Sequence, residues 1–588
     1  MSYSLLTATP VLSPRMTTMR AWLTLSLLTS SLAAQSIVSV DLTAAPGTVN
    51  LGPGFTSEPA QLYGGTLPGP VIRATVGDTL RVRLQNQLGV KTILHAHGQP
   101  VRLGMDGIQN ISRPEIANGQ EFTYEFDNLA AGTYWYHPHS EQHHQLNSGL
   151  HGVLIVDPPS TAPDPAFDVE EVIVLDDWDS SITGGTYFGH LLNGKTSDGQ
   201  TPLTISNGQT LRLRIVNCAA RTNYVIALEG HQMTVTHKDG QRMQPVTTDA
   251  IPIGIGERYD VLVTCNNSGV WSLAVSTIQY RAATVVRGVL RYAGETAPDP
   301  TPATVPNNLS TGALLSYAQL ASYYPSPISA NPDRTYPVAL SVASGLWKIN
   351  NESWPVVTPT QVTFGETIQF DLTTSTPSPN HVHPMHMHGH FMRLMGTAGG
   401  TTHAPQMDTI LIMPSGQPGD AWSAQWVADN PGSWLYHCHE MMHMSQGMMT
   451  LVNYTGDFDN DNVPDASDME PTIPGPVVTI SDQESAFQTG STGNIDFQWE
   501  ANQSCNCFMS WEELVTPLPF STFGDLRINP SLSVYIGSAV CDANGDGQLP
   551  YLLPAAPGLA GLLLYLQAVG SSTTIGFRLG THQSFTIR

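Results

Sequence analysis

Charge is scarce in this chain. Only 12% of its 588 residues are charged, with 24 Lys and Arg against 48 Asp and Glu. The formal charge of −24 argues against nucleic acid or anionic membrane as a partner and suits a protein kept soluble by surface acid. Long amphipathic helical patterns are missing. Beyond the N-terminus no apolar run reaches the roughly eighteen residues of a membrane-spanning helix, so no transmembrane anchor is expected. Cysteine is sparse as well, at six residues.

What the chain does have is turn-forming residues, 52 Gly and 44 Pro. With so few charges, that composition favours all-β modules joined by turns. The length exceeds one core and predicts roughly three to five domains. Arg15 and Arg20, the apolar run Ala21–Leu28 and Ser31-Leu32-Ala33-Ala34 follow the order of a secretory signal over residues 1–34. Met16 or Met19 is an alternative start, and a secreted or periplasmic location follows as an expectation. Strand-like runs fall at 71–76, 79–84 and 152–156, then at 172–175, 211–216 and 259–263. The alternation Leu211-Arg-Leu-Arg-Ile215 predicts a half-buried strand. These runs delimit sandwich-like units over 36–158, 167–294 and 335–455. A linker covers 295–334, with a short helix expected over Ala313–Ala321. An acidic linker covers 456–475, and a small β domain of unassigned role covers 476–588. Cys218 and Cys265 end strand-like runs in one unit and are candidates for a disulfide. Cys505 or Cys507 with Cys541 is a second candidate pair.

Four His-X-His tripeptides fall in two widely separated pairs: His95-Ala-His97 and His137-Pro-His139, then His386-Met-His388 and His437-Cys-His439. In an extended segment, side chains at i and i+2 share a face, about 6.5 to 7 Å apart. Four such pairs can surround a cluster of three copper ions. The pairs lie only in the first and third units, so the cluster is expected where those units meet, with the second as a spacer. His383, Cys438, His443 and Met448 add two imidazoles, a thiolate and a thioether, the ligand set of a blue-copper electron-transfer site. Neighbouring strand residues face opposite ways, so Cys438 can hold one metal while His437 and His439 hold the cluster behind it. The backbone then joins the two sites.

The strings His95-Ala-His-Gly98, Gly132-Thr-Tyr-Trp-Tyr-His-Pro-His139, His383-Pro-Met-His-Met-His-Gly389 and His437-Cys-His-X3-His-X4-Met448 resemble the four copper motifs of the multicopper oxidases. The likeness is strongest to three-domain, laccase-like bacterial members. Gly256-Glu-Arg-Tyr-Asp260 and Asp429-Asn-Pro-Gly-Ser-Trp434 also resemble family strings. The resemblance implies three consecutive cupredoxin-like β-sandwiches followed by the small C-terminal β domain. It also implies four copper ions. His95 and His386 would hold type 2 copper. His97, His137, His139, His388, His437 and His439 would hold the type 3 pair. His383, Cys438, His443 and Met448 would hold type 1. Asp106 matches the family's acidic residue near the cluster, with a role in proton delivery. Two departures stand out: Ala96 replaces the usual aromatic, and Met444 stands where several laccase-like bacterial members carry an acid.

The implied activity is one-electron oxidation of phenols or aromatic amines coupled to reduction of O2 to water, by an enzyme expected to act as a monomer. Oxidation of cuprous or other metal ions, or a copper-tolerance role, is the alternative. Nine methionines around the last two motifs (385, 387, 392, 395, 441, 442, 444, 448 and 449) could bind Cu(I) or fill the core. His143, His144, His151, His381, His390 and His403 have no ligand slot and are expected to be loop or supporting residues. Asp457, Asp459, Asp461, Asp465 and Asp468 have calcium-like spacing, although a solvated acidic linker would look similar. Asp542, Asn544 and Asp546 begin a weaker version of that pattern.

Overall fold

A computed structural model describes residues 36–457, Asp465, and the backbone of nine strands between Val477–Ile480 and Gly576–Thr586. The signal-like segment, Asp459, Asp461, Asp468, Asp542, Asn544 and Cys541 lie outside the described residues, as do the side chains of Cys505, Cys507 and Asp546. Among the described residues, no helix is long and apolar enough to cross a membrane.

Residues 36–457 build six sheets, two to each sandwich. In the first, the strands Glu58–Tyr63, Ile37–Val49, Thr79–Asn86 and Glu121–Phe126 form one sheet. Gly69–Thr75, Gly152–Asp157, Gly132–His137 and His95–His97 form the other. Alternation explains the packing. Leu80, Val82 and Leu84 point inward to meet Tyr134, Tyr136 and Leu154, whereas Arg81 and Arg83 point out toward Glu125 and Asp41.

The second and third sandwiches each pair a six-stranded with a five-stranded sheet. In the third, the five-stranded sheet runs Thr360–Val362, Met449–Tyr454, Ser433–Cys438, His383–Met387, Thr409–Ile412. Two metal-motif strands therefore lie side by side. The C-terminal strands form three further small sheets, completing a nearly all-β chain.

Three expectations are corrected. The Leu211–Ile215 strand is buried on both faces, not half-buried, because Arg214 reaches the first sandwich and Arg212 is covered by Asp164 and Asp260. Arg214 donates to Thr133 Oγ1 of the first sandwich at 2.8 Å and to Asp260 at 3.0 Å, and Arg212 donates to Asp260 at 2.7 Å. Burial alone would push the Asp260 carboxyl up, but the two guanidinium groups hold it well below the usual range. Next, Ala313–Ala321 holds only a single turn, Tyr317–Gln319, capped by Ser316. Its flanks instead pair in extended form with the second sandwich, through Leu315 N to Ala250 O at 2.9 Å and Gln244 N to Ala321 O at 2.8 Å. Finally, Cys218 and Cys265 are free and buried. Each follows the C-terminal end of one of two antiparallel strands, Thr210–Asn217 and Arg258–Thr264. They therefore sit at opposite ends of the sheet, roughly 30 Å apart at strand rise.

His151 lies between the first and second sandwiches, 1% exposed, with Nε2 3.8 Å from Asp176 Oδ2. Burial pushes its pKa down to about 4 and pushes the Asp176 carboxyl up. The native state therefore keeps His151 neutral. Its contribution is complete above the unfolded value of about 6.5 and is lost as pH falls toward 4, worth about 3 kcal/mol. His151→Phe should flatten the fall in unfolding temperature across that window in metal-free protein, and equal slopes for parent and variant would refute this.

Candidate metal centre

The ligand strands meet in register. His95–His97 pairs with Gly132–His137 so that His95 lies opposite His137, and His383–Met387 pairs with Ser433–Cys438 so that His386 lies opposite His437. The first and third sandwiches thus each present two of the His-X-His pairs, and the two sets interleave. The His97 ring stacks on His386 with centroids 3.7 Å apart, and His95 lies 4.2 Å from His388. His137 and His139 approach His439 and His437 at 5.2 and 5.3 Å. None of the eight is more than 7% exposed.

Their nitrogens fall into three groups, each with ligand atoms within 4.8 Å of one another: His95, His97 and His386; His97, His137 and His439; His139, His388 and His437. Burial, followed by the neighbouring imidazoles, pushes His97, His137, His139, His388 and His439 well below the ordinary histidine value and brings His437 to about 3. Neutral rings keep a lone pair to donate.

The far nitrogens are tied down. Nδ1 of His95 donates to the Asp106 carbonyl at 2.7 Å, and Nδ1 of His386 to the Asp408 carbonyl at 3.0 Å. His388 Nδ1 donates to the Asp106 carboxylate at 3.0 Å, and His97 Nε2 lies 3.1 Å from Asp408 Oδ1. The opposite atoms, Nε2 of His95, His139 and His386 and Nδ1 of His97, are buried with no hydrogen-bond partner. A buried nitrogen left bare is costly, and one ring nitrogen anchored with the other free is how metal-binding histidines are held. The residues fit a metal cluster. Gly107 makes the Asp106 turn possible, since its φ is +78° and a Cβ there would overlap the carbonyl oxygen of Leu94.

A second site lies on the other face of the same strand. Cys438 Sγ is 3.5 Å from His443 Nδ1 and 3.9 Å from His383 Nδ1. Met448 is buried in the same core and joined to the site by backbone bonds, with Cys438 N donating to Met448 O and Met448 N to His443 O, both at 3.0 Å. Burial drives His383 to about 3 and His443 to about 2, and raises the Cys438 thiol. A thiolate there requires a bound cation.

Several contributors carry little or no sequence signal. Glu440 caps the helix Met441–Ser445, accepting from His443 N at 2.8 Å, and its Oε2 lies 3.2 Å from His443 Nε2. The Trp347 ring packs on His443 with centroids 3.8 Å apart. Asp408 and Thr409 touch both His97 and His386, yet their only sequence cue is an acid beside a strand. Of the nine methionines none is exposed, and Met385, Met387, Met392, Met441 and Met448 are completely buried, which favours packing. His390 bonds Tyr454 OH, His403 bonds Ser322 O, His143 bonds Arg221, and His381 lies against Trp347. Of the calcium-like set, only Asp457 and Asp465 are described. Asp465 is buried, with its N–H on Gly456 O.

Paired β-sandwiches that hold an imidazole cluster and a thiolate site joined through one residue define an electron-transfer metalloprotein. Three successive multicopper oxidase family models match residues 47–161, 174–295 and 329–457. The multicopper oxidase MmcO of Mycobacterium tuberculosis is 34% identical over 465 residues, covering 71% of this chain and 87% of that protein. Laccase-4 of Trametes villosa is 28% identical over 500 residues, covering 74% and 93%. Among solved structures, Fet3p, a multicopper oxidase that functions in iron import, shares the fold with a TM-score of 0.62 at 21% identity, covering 71% of this chain and 90% of that one. A multi-copper oxidase from Pseudomonas thermotolerans matches at TM-score 0.57 and 25% identity, over 72% and 100%. The chain belongs to the multicopper oxidase family, which makes it a copper-dependent oxidoreductase with O2 as acceptor.

Copper removal should expose the cost of the inward-facing nitrogens. Chelated protein is expected to unfold at least about 5 °C below the copper-loaded form in calorimetry. Equal unfolding temperatures would mean that these nitrogens hold no metal.

Proposed function

We propose that this protein is an exported, laccase-like oxidase that takes single electrons from phenols or aromatic amines. One observation carries the reading: Cys438 faces His383 and His443, while its neighbours His437 and His439 belong to the imidazole cluster. In this reading His383, Cys438, His443 and Met448 hold type 1 copper. His95 and His386 hold type 2. His97, His137 and His439 hold one type 3 ion, and His139, His388 and His437 hold the other. Bound copper supplies one-electron acceptance at the single site and four-electron reduction of O2 at the cluster.

The chain's own residues do the rest. The Cys438 peptide gives a covalent route only two residues long between the sites. Four substrate oxidations and four protons balance O2 against two waters, so protons must enter a region sealed from solvent. Asp106, 1% exposed, touches His388 and His95 and is assigned to hold and pass protons there. The laccase names of several relatives support the phenolic substrate class, and the signal-like N-terminus supports export.

A second reading, oxidation of a metal ion, is favoured by the Glu440 carboxylate beside His443 Nε2, where an incoming cation would find a negative group. Turnover of a phenol, a non-phenolic dye and Cu(I) on one preparation separates the two readings, and oxygen uptake with none of them would sink both. Asp106→Asn is expected to slow oxygen consumption at least about tenfold while leaving the blue absorption intact. Undiminished turnover would remove the assignment.

A further inference from the structure

The second sandwich supplies no histidine to the cluster, yet it reaches the cluster through one side chain. Arg258, 0% exposed, forms a two-pronged bond with Asp408 of the third sandwich, Nη1 to Oδ1 at 2.7 Å and Nη2 to Oδ2 at 2.6 Å. Its Nε donates to Thr133 O of the first sandwich at 3.0 Å, and its Nη1 to Gly256 O at 3.0 Å. One guanidinium thus ties all three sandwiches together. The carboxylate that it grips is the one facing His97 Nε2 at 3.1 Å and His386 Nδ1 at 3.5 Å. Those two rings come from different sandwiches and stack on each other beside the bare nitrogens. Gly256 packs against His97 as well, since a Cβ there would lie 3.0 Å from His97 Cε1.

The charges behind this grip do not balance. Lys238 Nζ lies 2.7 Å from Asp239 and 2.8 Å from Glu257, Arg258 Nη1 lies 3.5 Å from Asp239, and Glu257 also takes the hydroxyl of Tyr317. Three carboxylates (Asp239, Glu257, Asp408) therefore face two cations (Lys238, Arg258), all at most 1% exposed. One carboxylate is in excess within this buried group. Burial, and then its carboxylate neighbours against the pull of Lys238, push the Asp239 carboxyl up to about 6. A buried charge is stable only when paired; here Arg258 pairs with Asp408, the carboxylate facing His97 and His386, while Asp239 and Glu257 share Lys238.

We propose that Arg258 is a positioning residue for the type 2 copper. It fixes Asp408, which aligns His386 for that ion and His97 for the neighbouring type 3 ion. The inference rests on the ligand assignment proposed above. A parent protein with no type 2 signal would defeat that assignment rather than this one.

The test uses copper-loaded full-length protein. Arg258→Met should lose the type 2 electron paramagnetic resonance signal and about one copper per chain, with the blue absorption and type 1 signal retained. Arg258→Lys keeps the charge but not the fork. It should release type 2 copper to a chelator at least about tenfold more readily, within the range expected for lost support of a ligand. Should Arg258→Met fail to fold, Arg258→Lys decides. Unchanged type 2 hyperfine splitting and chelator sensitivity within twofold of the parent, or parallel loss of type 1 and type 2 signals, would overturn the proposal. Full copper content with a normal type 2 signal in Arg258→Met would do the same.

Discussion

Eight imidazoles are packed into a space with almost no solvent, and several present a bare nitrogen to one another. Nothing in that arrangement is self-stabilising. Desolvated lone pairs repel and leave polar atoms unsatisfied, each at a cost of about 1 to 3 kcal/mol. The protein must therefore bring the first and third sandwiches together by other means and hold the rings facing inward until metal arrives. Asp106, from the first sandwich, bonds His388 of the third, and Asp408, from the third, faces His97 of the first. These reciprocal carboxylate contacts hold the two histidine sets in register.

Strand geometry then separates the two metal sites without insulating them. Along Ser433–Cys438 alternate residues face opposite sides, so a single residue step moves from the thiolate site to the cluster. The pairing of His386 with His437 and of Met385 with Cys438 repeats that alternation on the neighbouring strand, placing His383 beside the cysteine and His386 in the cluster. Slipping either strand by one residue would exchange the faces and destroy both sites together. The β-sandwich thus sets both the separation of the sites and their connection.

Much of this was legible because the ligands are local in sequence and their spacing is set by strand geometry. His-X-His states its own geometry, and Cys438-X4-His443-X4-Met448 states a loop. The supporting groups were not legible, since their meaning depends on contacts between residues such as Arg258 and Asp408, 150 positions apart. The same blindness explains Arg212 and Arg214, whose alternation suggested solvent until Asp260 and the first sandwich covered them. It also explains the Ala313–Ala321 segment, whose composition permits a helix but whose backbone finds partners on the edge of the second sandwich. Cys218 and Cys265 looked pairable only because sequence order hides the direction in which their strands run.

The thiolate site has a different constraint, because it must receive electrons from outside. His443 is its outermost ligand, yet Trp347 packs on the ring and Glu440 occupies the Nε2 edge. Glu440 is itself fixed, since it caps the helix that carries His443, so ligand and carboxylate move as one unit. Burial raises the Glu440 carboxyl to about 7, so in the metal-free site this group is a poor permanent anion. A bound cation beside His443 would favour its ionised form. Copper loading would therefore leave an anion fixed at the Nε2 edge of His443, so the charge at this edge follows the occupancy of the site.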